Sequence, residues 1–190
     1  MKELLEIRWH GRGGQGAKTA AQFLAEAAME LGKHIQAFPE YGPERAGAPI
    51  RAYTRISNNR INIHSGVTNP DIVVVVDPTL LDTIDVTEGL GEDGILVVNS
   101  SEPVEYIRNK TKLKKGKVAV CDATKISLET IGISMPNTPM LGALLKAQPI
   151  VSMEALETEV RKKFTKKIGQ EKTDANIKSL KRAFEETKVG

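Results

Sequence analysis

Three apolar runs without polar alternation constrain the fold of this chain more than any other feature. They cover residues 71–77, 94–99 and 117–122, and each ends in Asp or Asn. Continuous β-branched runs are typical of strands buried on both faces, as in a parallel sheet covered by helices. Because a predicted helix follows each run, we expect an α/β, Rossmann-like, three-layer fold with a mostly parallel sheet.

The polar residues that end these runs have two interpretations. Asp77, Asn99 and Asp122 lie at the carboxyl edge of the predicted sheet, where open α/β folds bind ligands. Their side chains also suit the capping of the turns that follow. We favour capping for most of them.

The chain also predicts an added β-hairpin. Residues 50–57 alternate between apolar and polar, Asn58-Asn59 offers a two-residue turn, and residues 60–64 return. One face of this hairpin is expected to be buried. The other face is expected to be solvated or to meet a partner or an anion, and it carries Arg51, Tyr53 and Arg55.

The C-terminal part predicts two amphipathic helices, at 152–168 and 174–188. We expect them to pack on the chain's own core, with docking on another subunit as the alternative. Residues 1–190 are therefore expected to form a single domain, with the helices of 152–190 packed on it.

A glycine-rich turn at residues 11–16 stands between a predicted strand at 5–10 and a predicted helix at 17–31. Uncovered backbone N–H groups and the positive end of a helix dipole favour an anion, most often phosphate. The turn therefore predicts contact with phosphate. The alternative is that its glycines serve only the close packing of helix on sheet.

Two known phosphate-binding patterns fit this turn in part. The dinucleotide fingerprint is satisfied by Gly11, Gly13 and Gly16, but the acidic residue it requires after the second strand is Glu40, late and beside Pro39. The P-loop pattern fails because Ala17 separates the last glycine from Lys18. Phosphate contact is thus favoured over specific binding of NAD.

Composition and cysteine usage exclude several classes of protein. The net charge is only +3 and aromatic residues make up 4%, so a nucleic-acid-binding face is not expected. No apolar run reaches the roughly 20 residues of a membrane span, and no signal peptide is visible, so we expect a cytoplasmic protein.

The single cysteine, Cys121, allows no internal disulfide and no cluster of this chain's own thiolates. We expect it to be a buried apolar residue, with a catalytic thiol as the alternative.

No residues are marked as a catalytic or metal site. The three histidines lack metal-ligand spacing, and no nucleophile motif or acid–base pair stands out. A phosphate site without catalytic groups suggests a site that another chain completes.

Three segments resemble the gamma subunits of 2-oxoacid:ferredoxin oxidoreductases, and the similarity covers nearly the whole chain. They are Ile7–Ala20 with the glycine turn, Gln36–Arg45 with the following Gly47-Ala48-Pro49, and Asn137–Ala143. The resemblance is greatest to the branch that acts on pyruvate, although the sequence does not specify the 2-oxoacid. Enzymes for 2-oxoisovalerate or 2-oxoglutarate are one alternative, and a stand-alone NAD- or FAD-binding Rossmann enzyme is another.

The resemblance implies a non-redox subunit of a heterotetramer that converts pyruvate, coenzyme A and oxidised ferredoxin to acetyl-CoA, carbon dioxide and reduced ferredoxin. Thiamine diphosphate, Mg²⁺ and [4Fe–4S] clusters are then expected on the alpha, beta and delta subunits, with ferredoxin as the electron acceptor. No cofactor is expected on this chain alone, which is expected to contribute to the coenzyme A site and to assembly.

The resemblance also implies which residues form that site. Arg12, Lys18 and Thr19 are candidate phosphate contacts, and Glu44 and Arg45 shape the same region or a subunit interface. No catalytic residue and no metal ligand are expected here. The full set of candidate site residues is Gly11, Arg12, Gly13, Gly14, Gln15, Gly16, Lys18, Thr19, Glu44 and Arg45.

Overall fold

A central β-sheet organises the fold in the computed structural model, which describes residues 2–40 and 47–190. Its strands are β1 (Leu4–Arg12), β2 (His34–Glu40), β3 (Pro49–Ser57), β4 (Ile72–Val75), β5 (Ile95–Asn99), β6 (Lys117–Cys121) and β7 (Lys188–Val189). Within the described residues the strand order is β2-β3-β1-β4-β5-β6-β7.

Most strands of the sheet run in one direction. β1, β4, β5 and β6 pair in parallel, whereas β3 is antiparallel to both β1 and β2, and β7 is antiparallel to β6. Only β3 and β7 therefore oppose the other five strands. The predicted mostly parallel α/β sheet is confirmed.

Helices cover both faces of the sheet. They are α1 (Ala17–Glu30), α2 (Val104–Thr111), α3 (Ala123–Ile131), α4 (Asn137–Ala147), α5 (Met153–Ile168) and α6 (Gln170–Glu186), with a short 3₁₀ helix at Pro78–Asp82. Five of these helices, all but α2, share one apolar core with one face of the sheet, and α2 with the 3₁₀ helix covers the other. Along β4, Val74 faces the first core while Val73 and Val75 face the second, which is why this strand lacks polar alternation.

The hairpin predicted at 50–64 is wrong. β3 is paired along both edges, with β1 on one side and β2 on the other, so residues 60–64 have no free edge to join and form no strand. Both faces of β3 are also buried towards its end. Arg55, expected on an open face, is 1% exposed and donates to Glu6 at 2.7 Å and to Gln36 at 3.1 Å.

The two C-terminal helices pack on α1 and α4 of the same chain. Phe164 of α5 contacts Phe23 of α1 edge to face, with ring centroids 5.0 Å apart. Gly142 lets α4 approach α6, because a Cβ there would collide with the backbone carbonyl of Leu180. Helix α6 begins four residues earlier than predicted, and the short final strand was not predicted. None of the helices in the described ranges is long and apolar enough to cross a lipid bilayer.

Candidate functional site

The glycine turn connects the end of β1 to the start of α1, as predicted. Gly14 and Gly16 have φ of 94° and 79°, in the left-handed region that side chains disfavour. Gly11 is restricted by space instead, because a Cβ there would lie 3.1 Å from that of Ala17. These glycines therefore serve both the backbone path and the close packing of helix on sheet.

The turn leaves backbone donors unused. Among the described residues, the N–H groups of Gly14, Gly16, Lys18 and Thr19 donate to no protein acceptor. Helix α1 has no acidic residue in its first turn, so the positive end of its dipole is not neutralised locally. Both features favour an anion at this position.

The carboxylate of Asp77 stabilises the glycine turn. Its Oδ2 accepts from Gln15 at 2.6 Å and lies 3.2 Å from the guanidinium of Arg12, while Gln15 also accepts from the Arg12 N–H at 2.8 Å. Asp77 also caps the 3₁₀ helix, accepting from the Thr79 N–H at 2.9 Å. Burial opposes its ionisation, but the hydrogen bonds from Thr79 and Gln15 outweigh burial and lower the pKa of Asp77.

The other two polar strand ends also stabilise turns. Asp122 caps α3 by accepting from the Lys125 N–H at 3.0 Å. Asn99 instead connects the end of β5 to the residue after β4 and to the first turn of α3, donating to the Val76 carbonyl and to the Thr124 hydroxyl at 2.9 Å each. Capping is thus confirmed for Asp77 and Asp122, with an added bracing role for Asp77.

A cavity of about 590 Å³ opens beside the turn. It lies where the first turns of α1, α4 and α6 meet the ends of α3 and α5. Its walls are largely apolar, and the described residues that line it include two lysines and no acidic residue. The lining residues are Gly13, Gly14, Gly16, Ala17, Lys18, Thr19, Ile50, Ile131, Ile133, Met135, Asn137, Phe164, Ile168, Lys172 and Asn176.

The predicted site residues divide into two groups. Those that line the cavity are Gly13, Gly14, Gly16, Lys18 and Thr19. Arg12 and Gln15 do not line it, because their side chains donate hydrogen bonds to Thr79 and Asp77. Gly11 packs instead against Ala17 at the start of α1. Glu44 and Arg45 lie outside the described residues.

Sequence reasoning missed the far wall of the cavity. Asn137 and Met135 come from the start of α4 and the segment before it, and Phe164, Lys172 and Asn176 come from the C-terminal helices. The only signal for any of them was the third resembling segment, which begins at Asn137.

Two buried titratable groups lie outside the cavity beside the turn. Cys121 is 3% exposed, and burial raises the pKa of its thiol to about 11, which confirms a buried apolar residue. Burial and the neighbouring Arg8 lower the pKa of His10 to about 3, and its Nε2 accepts from Arg8 at 3.0 Å. Within residues 2–40 and 47–190, no group of three or more His, Cys, Asp or Glu side chains is placed to hold a metal.

The geometry for a dinucleotide is not formed. Strand β3 lies between β1 and β2. The end of β2 is therefore two strand spacings, about 10 Å, from β1, the strand that precedes the glycine turn. Glu40 at that end accepts from the Tyr53 hydroxyl instead of facing the turn's crevice. Among the described residues, the ribose-binding half of the fingerprint is therefore not formed.

Fold and cavity together define a Rossmann-like α/β protein with a glycine turn at the start of a helix beside a cavity. The sequence model of the pyruvate ferredoxin/flavodoxin oxidoreductase family matches residues 6–186. The chain belongs to this family, and the resemblance noted from the sequence is confirmed.

Relatives of this chain are subunits of such enzymes. The pyruvate synthase subunit PorC of Thermotoga maritima is 55% identical over 98% of this chain and 96% of the relative. The common gamma subunit of the pyruvate/ketoisovalerate oxidoreductases of Pyrococcus abyssi is 49% identical over 98% of each chain. The crystal structure of the Thermotoga maritima subunit PORC of pyruvate oxidoreductase covers 100% of this chain and 99% of its own, at 52% identity and a TM-score of 0.88.

Proposed function

We propose that this chain is the gamma subunit of a pyruvate:ferredoxin oxidoreductase and that its glycine turn holds phosphates of coenzyme A. The complex converts pyruvate, coenzyme A and oxidised ferredoxin to acetyl-CoA, carbon dioxide and reduced ferredoxin. The chain contributes binding and assembly, and the chemical steps take place on the alpha, beta and delta subunits.

One observation carries the coenzyme A assignment: the cavity beside the turn combines positively charged groups with apolar walls. Among the described residues, no acidic side chain lines it, whereas Lys18, Lys172 and the first turns of α1 and α4, which contain no acidic residue, do. Coenzyme A is a polyanion with a planar base and a long uncharged arm, so it needs both kinds of surface. A volume of about 590 Å³ is in the range of small-molecule sites and accommodates part of such a ligand.

In this proposal the polar groups of the turn have distinct tasks. The N–H groups of Gly14 and Gly16 contact phosphate oxygens directly, and Lys18 and Thr19 contribute a charge and a hydroxyl from the first turn of α1. Arg12 acts indirectly, by bracing the turn against Thr79 with a donated bond of 3.0 Å.

The redox and thiamine cofactors are assigned to the other subunits because this chain does not fit them. An iron–sulfur cluster requires several thiolates, and the sequence contains one cysteine. No step of the oxidation is therefore routed through this chain, and its role is to position the thiol-bearing co-substrate.

The choice of 2-oxoacid is assigned to the partner subunits as well. The Pyrococcus abyssi relative is named as common to pyruvate and ketoisovalerate oxidoreductases, so one gamma subunit serves two oxoacids there. A complex specific for 2-oxoisovalerate is thus the second candidate. Purifying the native complex and assaying a panel of 2-oxoacids distinguishes the two.

A carboxylate placed in the turn tests the phosphate role. In the assembled complex, Gly14→Asp should raise the KM for coenzyme A by about 10-fold or more and leave the KM for pyruvate unchanged, because a fixed negative charge repels phosphate. Gly32→Asp is a matched control: Gly32 has φ of 78° and, like Gly14, nothing within 4 Å of an added Cβ, but it lies at the far end of α1.

The backbone strain of the two variants is therefore similar, and only the position of the charge differs. An unchanged KM for coenzyme A in an intact Gly14→Asp complex would show that the turn does not hold phosphate. Tight NADH binding by the chain purified without partners would instead favour the stand-alone dinucleotide enzyme.

A further inference from the structure

Asn137 lies against the glycine turn although it is more than a hundred residues away in sequence. It is the first residue of α4, it is 3% exposed, and it lines the cavity. A Cβ added to Gly16 would lie 2.7 Å from both Cγ and Nδ2 of Asn137. The amide therefore stands directly over the last glycine of the turn.

The Asn137 amide has no hydrogen-bond partner among the described residues. Its Oδ1 is buried and unpaired, and its Nδ2 donates to no protein acceptor there. The amide N–H groups of Asn137 are therefore available to an acceptor on a ligand, whereas the buried Oδ1 is an acceptor and requires a donor. Asn176 in the same cavity differs, because its amide accepts from Thr138 at 3.1 Å and donates to Lys172 at 2.8 Å.

The surroundings determine what kind of acceptor suits the Asn137 amide. The unused N–H of Gly16 and the first turns of α1 and α4 all converge at this point, and none of the described residues that line the cavity is acidic. A donor amide in such a positive environment completes an anion site and would repel a cation.

We infer that Asn137 is a ligand-binding residue whose side-chain N–H donates to a phosphate oxygen held by the glycine turn. This inference rests on the proposed function. It adds a third element, α4, to a site otherwise built from β1 and α1, and it gives α4 a role beyond core packing.

Three substitutions at Asn137 in the assembled complex test the inference. Asn137→Ala removes the donor and should raise the KM for coenzyme A by about 10-fold, the value of one hydrogen bond to a charged group. Asn137→Asp keeps the shape but replaces the donor with a carboxylate. It should raise the KM for coenzyme A, and this increase should be larger at low salt than at high salt, because salt screens the repulsion. Asn137→Ser retains a short donor and should fall between the wild type and Asn137→Ala.

Control measurements separate binding from a space-filling role. The KM for pyruvate should be unchanged in all three variants, and adenosine 3′,5′-bisphosphate should inhibit Asn137→Ala less than the wild type. Asn109→Ala, at an exposed position of α2, should leave both KM values unchanged. A residue that only fills space against Gly16 would give equal KM values for Asn137→Ala and Asn137→Ser.

The outcomes also separate this inference from the proposed function. If Gly14→Asp raises the KM for coenzyme A and the Asn137 variants do not, the inference is overturned and the phosphate role of the turn stands. If none of these variants changes that KM, the phosphate role of the turn in the proposed function is wrong, and the inference fails with it. If Asn137→Ala fails to assemble, the Asn137→Ser complex and its inhibition by the bisphosphate decide the question.

Discussion

Replacing Glu159 by glutamine is expected to stabilise the folded chain above pH 7. Glu159 lies on α5 facing α1, its side chain is 1% exposed, and neither carboxylate oxygen has a hydrogen-bond partner among the described residues. Burial, and then the carboxylate of Glu26, raise the pKa of Glu159 to about 7. Lys162 and Lys163 lie 3.7 and 3.8 Å away, which is too far to offset these effects fully.

The pKa of Glu159 determines the sign and the size of the effect. In the unfolded chain this carboxyl ionises near its ordinary 4.5, whereas in the fold it keeps its proton to about pH 7. The folded state thus binds the extra proton at Glu159, and the contribution of this group to the free energy of unfolding falls as pH rises between these values. The full difference corresponds to about 3 kcal/mol, and relaxation around the lysines reduces it to about 1–2 kcal/mol.

Glutamine at position 159 removes this loss of folding stability, because it is neutral at every pH and fills the same space. The Glu159→Gln chain should be about 1–2 kcal/mol more stable than the wild type at pH 8 and nearly equal to it at pH 5. Urea unfolding at pH 5, 6, 7 and 8 measures the difference. Glu185→Gln, at an exposed position on α6, is the control and should not change the pH profile.

A stability difference between Glu159→Gln and the wild type that does not grow between pH 5 and 8 would refute this reasoning. So would a glutamine variant that is less stable at pH 8, because the Glu159 carboxylate would then be satisfied by contacts that the fold does not show. The wild-type profile alone does not decide it, because the lowered pKa of His10 makes stability rise with pH up to about 6.5.

Three further predictions concern packing, bracing and reactivity. Gly142→Ala should lower the free energy of unfolding by about 2 kcal/mol or more in thermal melts, because the new methyl group collides with the Leu180 carbonyl, although alanine normally favours a helix. Asp77→Asn should raise the KM for coenzyme A several-fold with little change in kcat, since it weakens the ionic bracing of Arg12; an unchanged KM would show that the turn keeps its shape without this carboxylate. Cys121 should react with iodoacetamide at pH 8 at least about 100-fold more slowly in the folded chain than in denaturant, as followed by mass spectrometry, and rapid labelling of the native protein would contradict its burial.

The parallel part of the sheet was predictable because its signal is local. A run such as 71–77 is apolar on both faces, and each face meets a different core, so the sequence alone indicates a covered strand. The glycine turn was predictable for the same reason, since the strand, the turn and the helix are consecutive.

The position of β3 was not predictable, because it depends on distant pairing. The return strand expected at 60–64 was the nearest partner in sequence, but β1 and β2 occupy both edges of β3. The polar residues of β3 also misled the interpretation of its faces. The alternating pattern predicts that Arg55 faces solvent. In the fold its guanidinium is buried, and its charge is paired with the carboxylate of Glu6 on the neighbouring strand.

The cavity was only half predictable for a similar reason. Its near wall is the glycine turn, but its far wall needs α5 and α6 to pack on α1 and α4. Phe164 has the spacing of an ordinary core residue, and it does pack on Phe23, so nothing in its sequence setting distinguished it as a wall of a site.

Strand β3 explains why a dinucleotide fingerprint occurs here without a dinucleotide site. The fingerprint's glycines act at the end of β1, and they depend only on the consecutive strand, turn and helix. Its acidic residue acts from the end of an adjacent second strand, and inserting an antiparallel strand moves that position about 10 Å away. The strand, turn and helix that contain the glycines remain consecutive, so the same insertion does not alter this half. One change in strand order therefore accounts for a glycine turn of the fingerprint's type without the fingerprint's acidic position beside it.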